Sequence, residues 1–160
     1  MGEASETTEQ GTVGGGYRLA PWNVNGAAAL SASAQEPEGL LLAGLQGVLA
    51  AVRDGGEPTT VSEEEASAAA PIRGQGTDVG AVFAELAADL LAQVDANGPG
   101  LDRVRLDGVL ATDDGGYTAW GYAMGLPAVD PPPVGITLDG DPIVAVEGTV
   151  LRLTCTLRRA

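Results

Sequence analysis

The side chains that perform most proton-transfer and nucleophilic chemistry near neutral pH are missing from this sequence. It contains no histidine, and its eight basic residues are all arginines, set against 22 acidic residues. Histidine is the side chain best placed to move protons near pH 7 and is the commonest metal ligand. Lysine supplies most amine nucleophiles and the phosphate contact of P-loops. The composition therefore excludes the familiar sites built on these two residues and leaves carboxylates as the main chemical groups.

Three carboxylates recur on one flank of a predicted helix. The apolar spacing over residues 79–94 predicts an amphipathic helix, which Thr77 is expected to cap. At about 100° per residue, Asp78, Glu85 and Asp89 fall within about 40° of one another beside the apolar stripe. Such a row is typical of a solvated helix edge, but it could also face a cation or an arginine-rich partner. Together with Asp54, these three residues are the candidate partner-binding residues.

A glycine-rich segment precedes the same helix. Gly74-Gln75-Gly76, followed by Gly80, resembles a loosened dinucleotide fingerprint, in which glycines let the backbone approach a pyrophosphate. Pro71 makes the preceding stretch a poor central strand, because proline has no N–H for the ladder. Asp78 would place a negative charge where the phosphate should lie. We therefore expect a strand-to-helix loop here and no nucleotide site.

Aspartates also stand at two predicted turns, Asp113-Asp114 and Asp139-Gly140-Asp141. Hard cations accept such oxygens but need several converging ligands, and turn geometry already explains aspartate and glycine at these positions. The lone Cys155 has no second cysteine to pair with and no histidine to activate it, which fits a reducing cytoplasm. The sequence thus predicts no catalytic residue, no metal site and no cofactor.

The net charge of −14 restricts the expected partners. It repels phosphate backbones, so we expect no direct nucleic-acid binding unless the arginines cluster on one face. The apolar runs fall short of the ~20 residues of a membrane span, and the acidic start of the chain lacks the features of a signal peptide. The expectation is a cytoplasmic protein with a protein partner and no contact with a membrane.

The order of the predicted elements indicates an α+β fold. Residues 1–15 are polar and acidic and are expected to form a disordered tail, followed by one domain over residues 16–160. A first helix begins at Glu36-Pro37-Glu38 and ends at Asp54-Gly55-Gly56. From Leu101 onward the apolar period changes to two, which predicts a hairpin and further short strands. The expected architecture is two helices packed on one face of a mostly antiparallel sheet.

This order of elements and several local patterns resemble the archease family. In that family an early His-Thr-Ala-Asp motif precedes a strand, a helix and a closing Thr-Asp. Residues 30–54 resemble that strand and helix, with Arg53-Asp54 at the closing position. Residues 78–95 resemble the second helix of the family, with Ala88-Asp89-Leu90-Leu91 in place of Asn-Glu-Leu-Leu. Residues 136–140 are similar to its Val-Thr-Tyr-His-Gly strand.

The resemblance implies an archease-like domain over residues 16–160 that assists the RNA ligase of tRNA splicing. In the family, aspartates form an acidic metal-binding cluster that ligase activation needs. Here Val24-Asn25-Gly26-Ala27 stands in place of His-Thr-Ala-Asp, and Leu157-Arg158 stands in place of a C-terminal Leu-Asp. The resemblance therefore implies an accessory protein of RNA ligation that acts by protein contact, without that metal site and without enzymatic activity of its own.

Two other hypotheses are open at this point. The chain could be a noncatalytic acidic protein-interaction module that keeps only the fold and binds an unrelated partner. It could also be a carboxylate-based hydrolase, which would need a concave site where two acids converge with shifted pKa values.

Overall fold

Helices and antiparallel strands account for most of the described chain, which confirms the α+β class. The computed structural model describes residues 8–12, 15–52, 68–97, 101–125 and 135–159. The elements within these residues are β1 (Thr8–Thr12), β2 (Gly15–Leu19), β3 (Ala27–Ala34), α1 (Pro37–Val52), β4 (Ala68–Gly76), α2 (Val79–Asn97), β5 (Leu101–Ala111), β6 (Tyr117–Gly125), β7 (Ile136–Leu138), β8 (Ile143–Glu147) and β9 (Val150–Arg159).

The strands form two sheets instead of the single sheet that the sequence suggests. The larger sheet has the order β1-β2-β3-β9-β7, with β8 also paired to β9, and the smaller sheet has the order β4-β6-β5. Helix α1 packs on β2 and β3 of the larger sheet and also on β5 of the smaller one, while α2 packs on β4 and β6. Because α1 contacts both sheets, the two sheets share one apolar core.

Two glycines allow α1 to lie close to its neighbours. A Cβ at Gly44 would lie 2.6 Å from Cε1 of Phe83 in α2, and a Cβ at Gly47 would overlap the side chain of Leu30 in β3. Real Cβ atoms do not approach other atoms so closely, since protein interiors are already packed at the density of organic crystals. These positions therefore bring α1 into contact with α2 on one side and with the larger sheet on the other.

The amphipathic α2 has the apolar face that the sequence predicts, but a different N-terminal cap. Val82, Phe83 and Leu86 are fully buried. The Oδ1 atom of Asp78 accepts a hydrogen bond from the N–H of Ala81 at 2.8 Å. Asp78 is thus the capping residue, and the assignment of this role to Thr77 is wrong by one position. Aspartate and threonine both cap helices well, so sequence alone did not separate them.

Part of the segment that the sequence assigns to a disordered tail is a strand. Residues 8–12 form β1, which pairs antiparallel with β2 so that Thr8 lies opposite Leu19 and Thr12 opposite Gly15. The expectation of disorder over residues 1–15 is therefore wrong for this part, and residues 1–7 and 13–14 lie outside the described residues. Main-chain groups alone form such a ladder, so a polar segment can join the edge of a sheet.

The glycine-rich segment before α2 is also a strand and not a loop. Gly74 and Gly76 belong to β4, which is an edge strand of the smaller sheet, and Pro71 is tolerated there because an edge strand does not need every N–H in the ladder. A Cβ at Gly74 would lie 2.9 Å from the backbone nitrogen of Leu86. Glycine is thus explained by the close approach of α2 to β4.

Candidate functional site

The two positions at which the archease resemblance expects carboxylates lie side by side. Ala27 in β3 is the direct antiparallel partner of Arg158 in β9. The Arg158 guanidinium donates to Oδ2 of Asp139, with Nη2 at 2.8 Å and Nε at 3.2 Å. Its Nη1 donates to the carbonyl oxygen of Asn25 at 3.3 Å. Arg158 therefore connects the turn after β7 to the segment that leads into β3.

The Arg158–Asp139 ion pair is a surface pair. The two side chains have relative exposures of 47% and 45%, and pairs of this kind contribute about 1 kcal/mol or less to stability. Its importance is therefore one of position: the guanidinium of Arg158, which stays protonated at physiological pH, lies beside Ala27 with its charge offset by Asp139. Within the described ranges, no three Asp, Glu, His or Cys side chains are grouped closely enough to hold a metal ion.

A hollow of about 460 Å³ adjoins this ion pair on the face of the larger sheet that α1 leaves uncovered. The residues around it include Arg18, Ser31, Asp139, Asp141, Ile143 and Thr154. Both signs of charge are present at its rim, together with hydroxyl groups that donate and accept hydrogen bonds. Such a hollow can hold a polar or charged side chain of a partner.

The three candidate carboxylates of α2 each bond to the chain's own backbone. Asp78 caps the helix. Glu85 Oε1 accepts from the N–H of Gln75 at 3.1 Å, and Asp89 Oδ2 accepts from the N–H of Arg73 at 2.9 Å. The last two bonds occupy N–H groups on the open edge of β4, an edge that would otherwise be available for pairing with another chain.

The structure separates the two groups of candidates. Glu85 and Asp89 border a cleft of about 730 Å³ alongside β4, whereas Asp139 borders the hollow on the larger sheet. Asp54 lies outside the described residues. The assignment of Asp54, Asp78, Glu85 and Asp89 to partner binding stays a prediction. Sequence reasoning missed Asp139 as the partner of Arg158, because only the register of β7 against β9 brings these residues together.

Asp114, one of the turn aspartates, takes part in the hydrogen bonds of its own turn. The Thr112 hydroxyl donates to the Asp114 carboxylate, and this bond, with a second from the N–H of Gly116, lowers the pKa of Asp114. The shift thus comes from the turn's own hydrogen bonds and not from a second acid. It gives no support to a carboxylate-based hydrolase.

Cys155 lies opposite Leu30, on the side of β9 that faces the core. Burial raises the pKa of its thiol to about 12, and the thiol is therefore protonated near neutral pH. A protonated thiol is a poor nucleophile and a poor metal ligand.

No helix among the described residues combines the length and apolar character that crossing a bilayer requires. No family model matches this chain, and no curated protein matches it. Among solved structures, the fold is similar to the solution structure of protein 1598 of Methanobacterium thermoautotrophicum, with a TM-score of 0.61 and 14% sequence identity. The match covers 89% of this chain and 97% of that one. At this identity the likeness shows a shared α+β fold.

Proposed function

We propose that this protein is an archease-like accessory factor of RNA ligation in the cytoplasm, acting by contact with an RNA ligase and catalysing no reaction itself. The observation that carries the proposal is the pairing of Ala27 with Arg158, whose guanidinium is held by Asp139. These are the positions at which the resemblance expects the metal-binding carboxylates.

The chemistry of this replacement supports a metal-independent contact. A divalent ion among carboxylates provides fixed positive charge at one place on the surface. A guanidinium remains protonated at any physiological pH and donates several hydrogen bonds in a fixed plane. Arg158 provides positive charge beside Ala27 without any ion, and Asp139 orients it.

The acidic flank of α2 suits a basic surface on the partner. Glu85 and Asp89 each accept one backbone hydrogen bond, but an ionised carboxylate has about four lone-pair sites. The same groups can therefore accept further bonds from arginines of a partner while they continue to occupy the edge of β4. The net charge of −14 increases the rate at which a basic partner is encountered.

The direct experiment follows nucleotidylation of a tRNA-splicing RNA ligase with and without this protein. We expect the wild type to raise the rate, Arg158→Gln to lose most of the increase, and Arg152→Gln to retain it. Arg152 is a matched control, because it is also an exposed β9 arginine in an ion pair, with Glu147 at 3.2 Å. No increase with the wild type would remove the ligase from the proposal.

If only the acidic flank of α2, Glu85 and Asp89, is considered without the Ala27–Arg158 pair, it favours the second candidate, a noncatalytic module with an unrelated partner. Size-exclusion chromatography of the protein mixed with the ligase distinguishes the two. A complex that Glu85→Gln and Asp89→Asn weaken supports the ligase as partner, whereas separate elution with no rate increase supports the unrelated module.

A further inference from the structure

The smaller sheet has one face that neither helix covers. On the inner face, Ile72, Ala119 and Ala123 are buried in the core that the helices complete. Strand alternation places the intervening side chains on the opposite face, here called the outer face. By register, Arg73, Trp120 and Gly108 form one row across β4, β6 and β5, and Pro71, Tyr122 and Arg105 form the next. Ala69, Met124 and Arg103 form a third row, in which Met124 is buried, so the exposed part of this face is centred on the first two rows.

Trp120 lies flat at the centre of this outer face. A Cβ at Gly108 would fall 2.6 Å from Cη2 and 2.9 Å from Cε2 of the indole and would overlap Cζ2, which lies between them. Because these three bonded ring atoms lie at similar distances from a Cβ on Gly108, that Cβ would lie above the plane of the indole and not beside its edge. One face of the indole thus covers Gly108. The side chain is 38% exposed, so the other face is open to solvent.

Arginines flank this aromatic centre on both sides. Arg73 stands directly opposite Trp120 on β4, and Arg105 lies over the Tyr122 ring at 5.5 Å from its centroid. Asp107 is bonded to Nε of Arg105 at 3.0 Å and holds that guanidinium in place. Three of the eight arginines, Arg73, Arg103 and Arg105, thus share a face with two aromatic rings.

We propose that this outer face binds single-stranded nucleic acid. An open indole face stacks on an unpaired base of any sequence, and arginines beside it pair with the phosphates and stack on neighbouring bases. A duplex does not present its base faces, so the surface should select single strands. The proposal is independent of any contact with a ligase, because it rests on the smaller sheet and not on the Ala27–Arg158 site.

The net charge of −14 does not prevent binding at this face. At physiological ionic strength the Debye length is about 8 Å, so exposed charges beyond this distance are largely screened. Two nearby acids are held at the edge of β4, where Asp89 accepts from the N–H of Arg73 and Glu85 accepts from the N–H of Gln75. The sequence-based expectation of no nucleic-acid binding allowed one exception, a clustering of arginines on one face, and three of the eight arginines lie on this face, one of them paired with Asp107.

The test is a fluorescence titration of the full chain carrying Trp22→Phe, so that Trp120 is the only indole. The probes are single-stranded RNA and DNA of about a dozen nucleotides, since single-strand sites span roughly 4–16. We expect saturable quenching with RNA, with DNA or with both, and much weaker binding of a duplex. The logarithm of the binding constant should fall with the logarithm of the salt concentration with a slope of about −2 or shallower, the value for three phosphate contacts.

Variants separate stacking from a structural role. Trp120→Leu keeps an apolar cover on Gly108 but cannot stack, and its affinity, followed by anisotropy of a labelled strand, should fall about 10-fold, whereas Trp120→Phe should keep most of it. Arg73→Gln should weaken binding several-fold and reduce the salt slope. Arg152→Gln on the larger sheet should leave it unchanged. Circular dichroism melts check folding, and if Trp120→Leu does not fold, the exposed Arg73→Gln variant decides.

Three results would overturn the proposal. They are no saturable binding of either strand, equal affinity of the wild type and a folded Trp120→Leu, and equal binding of heparin and oligonucleotide, which would indicate attraction by charge alone. Capture of an acidic peptide at this face in place of the strands would identify a protein surface instead.

Discussion

Ala27 and Arg158 show that side chains, and not the strand pairing, decide the chemistry of this place on the surface. Backbone groups make the strand pairing that places residue 27 opposite residue 158. This pairing therefore does not require those side chains to be acidic, basic or apolar. The side chains decide what the place can bind. With alanine and arginine there, the place carries a guanidinium that Asp139 holds and whose charge it offsets.

Cys155 should resist alkylation. Burial raises its pKa from 9.0 to about 12, so the thiolate at pH 8 should be scarce and reaction with iodoacetamide slower than in urea by about a hundredfold or more. The folded state holds this proton more tightly than the unfolded state. The contribution of the thiol to stability is therefore complete below about pH 9 and is lost as pH rises toward 12.

Urea midpoints of the wild type and Cys155→Ala at increasing pH measure this loss, which the variant should not share. Equal alkylation rates at pH 8 in the native and urea-unfolded protein would show that the thiol is not buried.

Asp78 should matter more than Thr77 for the stability of α2. Asp78→Ala removes the acceptor for the Ala81 N–H and should lower the free energy of unfolding by about 1 kcal/mol, whereas Asp78→Asn and Asp78→Ser should recover most of it. Thr77→Ala is the matched control, with an expected change below about 0.5 kcal/mol. Urea denaturation of the four variants measures these values, and a larger loss for Thr77→Ala would reverse the assignment of the cap.

At the scale of elements, acidic side chains of α2 cover part of the edge of β4. Edge strands expose N–H and C=O groups that can pair with another chain. Here Glu85 and Asp89 of α2 reach across to two of these N–H groups. The same residues that the sequence suggests for partner binding thus also cover an edge, and any partner must accommodate both roles.

Asp89→Ala should expose the edge of β4, whereas Asp89→Asn should not. The alanine variant leaves the N–H of Arg73 without its acceptor and should lose about 1 kcal/mol of stability, with increased self-association at high concentration. Asparagine retains a carbonyl acceptor and should remain close to the wild type. Urea denaturation and light scattering test both effects. Equal behaviour of the two variants would mean that the hydrogen bond does not protect the edge.

Periodicity in the sequence predicted the elements with strong apolar patterns, namely both helices and the strands after Leu101. It could not predict which strands pair, since a period of two tells which side chains point inward but not which strand lies alongside. The partners Arg158 and Asp139 depend on that pairing and so were missed. The strand β1 was missed as well, because its residues, Thr8–Thr12, give no apolar pattern. The outer face of the smaller sheet became visible only once Arg73, Trp120 and Gly108 fell into one row.

At the scale of the whole molecule, α1 joins the two sheets into one core. It contacts β2 and β3 in one sheet and β5 in the other. Gly44 and Gly47 bring it into contact with Phe83 and Leu30, on α2 and β3 respectively. Elements that share a core in this way lose their packing together, so the two sheets should unfold in a single transition.

The two tryptophans provide a direct measure of this cooperativity. Trp22 lies at the larger sheet, stacked with the guanidinium of Arg159 in β9 at 4.8 Å, and Trp120 lies in the smaller sheet. Fluorescence of Trp22→Phe therefore follows the smaller sheet, and fluorescence of Trp120→Phe follows the larger one. Each curve should coincide with the circular dichroism curve of the same variant. A variant whose two curves separate would show that the sheets unfold independently.

The central claim is that a guanidinium, not a bound cation, completes the surface that contacts an RNA ligase. The measurement that tests it most directly pairs equilibrium dialysis of this protein against the divalent cation that the ligase needs with nucleotidylation rates at that same cation concentration. We expect the wild type to raise the rate without binding a stoichiometric amount of the cation. Stoichiometric binding of the cation by this protein, or no rate increase, would contradict the account.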